Sequence, residues 1–270
     1  MIPLYDAHNH LQDERFCGRQ EELLAACRRE GVVRMVVNGS EEGDWAAVAA
    51  LARAHPQEAI PAFGCHPWYV GRASPEWRHS LREWLERFPR APVGEIGLDR
   101  WRRGLEWETQ VDFFRAQLAL AAELNRPACL HCLKAWGRLV KLLREGPVPS
   151  RGFLLHSYGG PPELIPELAA MGGYFSLPGY FARPDKRARA EAFQRVPSDR
   201  LLLETDAPDQ RLPPEREAHP LQSPDGRPLN HPANLAAVYR FAAELLGLSP
   251  ERLAVQVEQN FHRLFGDALP

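Results

Sequence analysis

No run in this 270-residue sequence approaches the roughly 20 consecutive apolar residues that a membrane-crossing helix needs, so a spanning role is not expected. No secretory leader is expected either. Met1 passes directly into Ile2-Pro3-Leu4-Tyr5, with no basic segment and no longer apolar stretch behind it. The expectation is a soluble, cytoplasmic protein. Charge of one sign is also lacking: 33 Lys and Arg face 35 Asp and Glu, a net charge of −2. That excludes a general positive field for holding nucleic acid, so any polyanionic substrate must be gripped locally, by a site or a metal. Nearly all the cations are arginine, which suits bidentate phosphate contacts. Cysteine is scarce and odd in number, five in all, which argues against a disulfide framework. Cys129 and Cys132 form a C-x-x-C, but on an apolar strand where positions three apart face opposite sides, so they read as structural. No G-x-G-x-x-G follows the first apolar run, which argues against a dinucleotide-binding sheet.

What is present is concentrated first in Asp6-Ala7-His8-Asn9-His10. The preceding Ile2-Pro3-Leu4-Tyr5 predicts a short buried strand. Side chains alternate along a strand, so Asp6, His8 and His10 share a face, with neighbours about 6.6 Å apart at roughly 3.3 Å rise per residue. Two imidazoles at that spacing can lean toward one ion. An ordinary strand end capped by Asp and two histidines is the plainer reading, but the triple D-x-H-x-H favours half of a metal site.

Further along, short apolar strands alternate with helical stretches. Strands are predicted at Val32–Val37, Ala59–Gly64, Pro92–Ile96, Ala128–Cys132, Phe153–Leu155, Tyr174–Leu177 and Leu201–Leu203. Helices are predicted over Gln20–Glu30, Asp44–His55, a stretch opened by Ser74 as N-cap and Pro75 at the first turn, Glu106–Leu124, Lys134–Arg144, Pro162–Met171 and Asp185–Arg195. Eight such units in about 250 residues predict a single α/β domain over residues 1–270, a TIM-like (β/α)8 barrel whose site lies at the strand C-termini. The Pro- and Arg-rich stretch 208–232 has no clean periodicity and reads as a long loop on the catalytic face. Ala233–Leu246 and Pro250–Phe265 predict terminal helices, packed outside the barrel or across its rim.

The strand ends then form a constellation. They carry His8 and His10, Glu95, His131, His156 and Asp206. Each alone is weak evidence, because a His at a strand end is commonly a cap and Asp before Ala-Pro commonly a turn residue. Barrel closure, however, brings all six together. Four His and two carboxylates suit zinc, manganese or another divalent ion rather than calcium, and they exceed what one ion needs. With Glu95 bridging, His8, His10 and Asp206 complete a first site and His131 and His156 a second, the arrangement of two-metal hydrolysis.

These motifs resemble the TatD family of metal-dependent deoxyribonucleases, within the amidohydrolase-like hydrolases. The matching stretches are D-A-H-N-H (6–10), G-C-H-P (64–67), V-G-E-I-G-L-D (93–99), the His131 and His156 strand ends, E-T-D-A-P (204–208) and N-F-H-R-L-F-G (260–266). The resemblance implies phosphodiester hydrolysis with DNA the usual substrate, and the same six ligands. Two divalent ions (Zn, Mn or Mg) are the expected cofactors, and a metal-activated water the nucleophile. Single-stranded ends are favoured, since a barrel mouth admits a terminus more readily than a duplex. Asp206 is expected to orient the water and take its proton, beside Glu95. Asp6 and Glu204 are expected to support the ligands from behind. His66 offers a phosphate contact or merely a turn role, Trp68 a surface for a base, and Arg211 in the loop a grip on flanking phosphate. No obligate protein partner is inferred. The chain departs from the family at Cys132-Leu133-Lys134 after His131, Ser157-Tyr158-Gly159 after His156, and Asn230-His231-Pro232, all beside the site. The alternative is an ester or amide hydrolase with the same metals, for example on D-aminoacyl-tRNA. A non-enzymatic binding protein ranks last because all six ligand positions are filled.

Overall fold

The computed structural model describes residues 2–266; the ends of the expected 1–270 unit, residue 1 and residues 267–270, lie outside the described residues. Eight parallel strands follow the apolar runs: β1 (Leu4–Asn9), β2 (Val32–Asn38), β3 (Ala59–Ala62), β4 (Val93–Asp99), β5 (Ala128–Leu133), β6 (Phe153–Leu155), β7 (Gly173–Pro178) and β8 (Leu201–Glu204). They pair in sequence order, β1-β2-β3 and β4 through β8. Two junctions close the ring. Phe63 bridges Val93, with Gly94 N–H donating to Phe63 O (2.9 Å) and Glu95 N–H to Gly39 O (2.8 Å). At the other seam Asp206 N–H donates to His8 O (2.9 Å) and His10 N–H to Ala207 O (2.8 Å). The result is the TIM-like barrel expected, its strands buried on both faces as helix-covered parallel strands are.

Helices α1 (Gln20–Arg29), α2 (Trp45–Ala54), α3 (Trp77–Arg87), α4 (Trp107–Glu123), α5 (Trp136–Glu145), α6 (Ile165–Ala170) and α7 (Arg187–Ala192) follow strands β1 to β7 in turn. After β8 come α8 (Leu235–Leu246) and α9 (Pro250–Phe265). On α9, Asn260 donates its amide to the carbonyls of Ser198 and Leu201, both at 2.8 Å. This ties α9 to the N-terminal end of β8 and leaves the opposite barrel end to the site.

Several details differ from the sequence reading. Ser74 does not cap α3, which begins at Trp77 with Glu76 in the cap position. Its N–H and hydroxyl instead donate to Glu42 (2.7 and 2.8 Å), an acceptor 32 residues away. The helix expected over Pro162–Met171 splits into a 3-10 turn (Pro162–Leu164) and α6. Pro166 has no N–H to continue an α ladder through that point. The Asp185–Arg195 stretch divides likewise, with 3-10 turns either side of α7. Strand β4 runs on to Asp99. The 208–232 segment contains a small antiparallel pair, β9 (Leu221–Gln222) with β10 (Pro228–Leu229). Among the described residues no helix is long and apolar enough to cross a membrane.

Candidate metal centre

Glu95 sits at the middle of β4, buried, and its two carboxylate oxygens face different histidines. Oε2 lies 3.2 Å from His10 Nε2 and 3.4 Å from His8 Nε2. Oε1 lies 2.8 Å from His156 Nε2 and 3.1 Å from His131 Nδ1. Gly97 allows this approach, since a Cβ there would stand 2.0 Å from the His131 carbonyl oxygen. Asp206, at a left-handed φ of 53° just past β8, turns Oδ1 toward the first group, 3.6 Å from both His8 and His10 Nε2.

The donor spacings fit a metal. A tetrahedron of 2.0–2.1 Å bonds has edges of about 3.3–3.4 Å. Five of the six separations among His8, His10, Glu95 and Asp206 are 3.3, 3.4, 3.2, 3.6 and 3.6 Å. In the second group His131 Nδ1 and His156 Nε2 are 3.1 Å apart. Two rings are also fixed from behind. His10 Nδ1–H donates to Asn38 O (2.8 Å), and His131 Nε2–H to Asp99 Oδ2 (3.0 Å). Each such bond settles the tautomer and leaves the other nitrogen's lone pair directed at the cluster. The chain thus presents His and Glu clusters able to hold metal ions.

Electrostatics sharpen this. Burial alone would raise the Glu95 carboxyl, but the surrounding His156, His66, His8 and His10 hold it well below the ordinary range. Burial, with His156 nearby, pushes His8 down to about 4. For His10 burial is outweighed by Glu95 and Asp206, which lift it to about 9. Burial raises the Asp206 carboxyl to about 7, against the pull of His156 and His10. A divalent ion would take the place of the protons these donors share.

The remaining expected residues lie as follows. Asp6 accepts from Thr205 N–H (3.0 Å) and Thr205 Oγ1–H (2.6 Å), pinning β1 to the end of β8 rather than joining the donors. Glu204 accepts from the Ser157 and Ser176 hydroxyls and stands 3.7 Å from His156 Nδ1. His66 is buried, with Nε2 3.5 Å from Glu95 Oε1. Trp68 donates its indole N–H to Asp99 Oδ2 at 2.7 Å. Arg211 places its guanidinium on Glu217. His231 accepts from Ala233 N–H within its own turn (3.0 Å). Two residues escaped the sequence reading. Asp99 holds both His131 and Trp68, and Gln210 donates to Asp206 Oδ2 (2.6 Å) and to Ser157 Oγ (2.6 Å). Asp99 was within reach, being four positions from Glu95 on one strand and so on the same face. Gln210 carries no comparable signal.

A family model described as TatD related DNase matches residues 5–266. A protein of Erwinia tasmaniensis named 3'-5' ssDNA/RNA exonuclease TatD is 31% identical over 264 residues, covering 97% of this chain and 99% of that protein. The crystal structure of YjjV, a TatD homolog from Escherichia coli, matches with a TM-score of 0.89 at 27% identity, covering 100% of both chains. A TatD family hydrolase from Entamoeba histolytica has the same fold, with a TM-score of 0.85 at 17% identity over 98% of this chain and 99% of its own.

Proposed function

The chain, a metal-dependent hydrolase of phosphodiester bonds, belongs to the TatD related DNase family, and from that premise we propose that it removes nucleotides from single-stranded DNA ends using two divalent ions. The carrying observation is the division of Glu95 between two donor sets, Oε2 toward His8 and His10, Oε1 toward His131 and His156. His8, His10, Asp206 and Glu95 would hold one ion, and His131, His156 and Glu95 the other. The nitrogen-rich set suits zinc or manganese better than magnesium. Bound there, such ions lower the pKa of water and offset charge growing on the phosphoryl oxygens.

The chain's own residues supply the rest. Asp206 has one oxygen toward the histidines and the other held by Gln210, so its carboxylate is fixed in direction. It is the group proposed to orient the attacking water and take its proton. His66 is proposed to hold a phosphate oxygen, and Trp68 a base. Arg211, engaged with Glu217, is not used. Asp6, Glu204 and Asp99 position the ligands without meeting substrate. The 3′-to-5′ direction is taken from the names of the relatives. The five free cysteines fit a reducing compartment, and a cytoplasmic setting is part of the proposal.

The test is a panel of linear single-stranded DNA, RNA, D-aminoacyl-tRNA and a hydantoin-like amide, each with the metal-loaded protein. Stepwise shortening of the DNA from its 3′ end supports the proposal. An idle enzyme on DNA that hydrolyses the aminoacyl ester or the amide overturns it.

A further inference from the structure

Resting on the exonuclease reading and deepening it, we propose that Trp101, backed by Trp68, is a stacking platform for a nucleobase near the scissile bond. An exposed aromatic ring offers a nucleobase a π-face to stack on. Trp101 is 58% exposed, one of three exposed large hydrophobics among the described residues, with Val33 and Val255. Of these, Trp101 alone lies just past the C-terminal end of β4, two residues after Asp99.

The platform is tied to the metal ligands through one carboxylate. Asp99 Oδ1 accepts from the backbone N–H groups of Trp101 (2.6 Å) and Arg102 (3.0 Å). Asp99 Oδ2 accepts from Trp68 Nε1 (2.7 Å) and from His131 Nε2 (3.0 Å). The loop, the half-buried indole of Trp68 and the ligand histidine therefore share a single anchor. The Trp68 and Trp101 rings are near parallel, 25° apart with centroids at 6.4 Å, and Trp68 lies 6.4 Å from the His131 ring. Two steps of that size reach one or two nucleotides from the cluster, at about 6–7 Å per nucleotide of extended single strand, roughly twice the stacked rise. The surroundings are cationic: Arg100 lies over Trp107 (4.1 Å) and Arg102 over Trp68 (5.0 Å), with Arg103 next in sequence. In a chain of net charge −2, this Arg-Trp-Arg-Arg run supplies the local grip that the composition demands. Aromatic faces with arginine beside them are the means by which proteins hold single strands without reading sequence.

The experiment uses the full metal-loaded chain and linear single-stranded oligothymidylates, each with one abasic position among the four nearest the 3′ end. An abasic site at one or two adjacent positions is expected to raise KM about 10-fold, the scale of one stacked base. Trp101→Ala should raise KM for the intact strand by a similar factor, with kcat within about 2-fold, and should abolish the abasic penalty. Trp101→Phe should restore most of the wild-type KM, which a structural role for this exposed ring would not produce. An unchanged KM in Trp101→Ala, or an abasic penalty that persists in it, overturns the platform. Should the wild type leave the intact strand uncut, the exonuclease reading falls. Fluorescence anisotropy of the same labelled strands then decides the platform separately, and equal affinities of wild type and Trp101→Ala overturn it.

Discussion

Glu95 concentrates the chemistry of the site in one side chain, because each of its oxygens has its own pair of histidines. Under the two-ion proposal Glu95→Ala is therefore expected to lower occupancy of both ions, whereas His8→Ala or His10→Ala should weaken the first and His156→Ala the second. Metal analysis after dialysis against a trace of free ion reads this directly, and full occupancy in Glu95→Ala would remove its bridging role. Asp206→Asn keeps the shape but cannot accept a proton as the carboxylate does, so kcat should fall about 10²-fold or more while KM moves little. An unaltered kcat would take Asp206 out of proton transfer. At this scale legibility follows backbone periodicity. His8 and His10 two apart, and single polar residues ending apolar runs, stand out in a sequence because strand geometry aims them. Asp99 shares that geometry with Glu95 and was legible in principle. Gln210 was not, because its contact with Asp206 depends on the turn beyond β8, where Asp206 and Gln210 both take positive φ.

Elements place these residues, and their boundaries are less legible in the sequence than their existence. All eight strands were legible as apolar runs, since strands buried on two faces leave no polar alternation to confuse them. Cap and helix continuity were less legible, because distant partners and missing donors decide them: Ser74 answers to Glu42, and Pro166 interrupts a helical pattern that hydrophobic spacing alone would extend. The strand predicted to end at Ile96 continues as β4 through Gly97, because only a residue without Cβ lets β4 and β5 meet there. Gly97→Ala would press a methyl onto the His131 carbonyl oxygen, backbone that cannot yield as a flexible side chain does. The expected outcome is a loss of about 1–3 kcal/mol in stability, together with weaker binding of the second ion as His131 shifts. Denaturant unfolding and metal titration of the variant measure the two effects. An unchanged midpoint and unchanged affinity would show that β4 and β5 part without cost.

Over the whole molecule, the division of labour between the two barrel ends sets what metal and salt should do. The barrel core is apolar and continuous, and α9 braces the end away from the site through Asn260. Removing metal should abolish turnover yet leave the secondary structure in place, with a melting temperature lowered only by the linkage to bound ion. Circular dichroism and thermal melts with a chelator check this, and wholesale unfolding would mean that the ligands hold the barrel together. Charge works in the same direction. A net charge of −2 supplies no long-range attraction, so under the proposed function a single strand would have to be captured by the metal site and a few arginines at the mouth. Contacts to two or three phosphates would give a slope of log affinity against log salt of about −1.5 to −2, far shallower than that of a basic DNA-binding protein. Because capture is confined to the mouth of a closed barrel, the enzyme should need a free end. Circular single-stranded DNA of matched length and composition should be cut far more slowly than linear. Equal rates on the two forms, or a steep salt slope, would place the strand across the outer surface and require a wider basic face than this sequence carries.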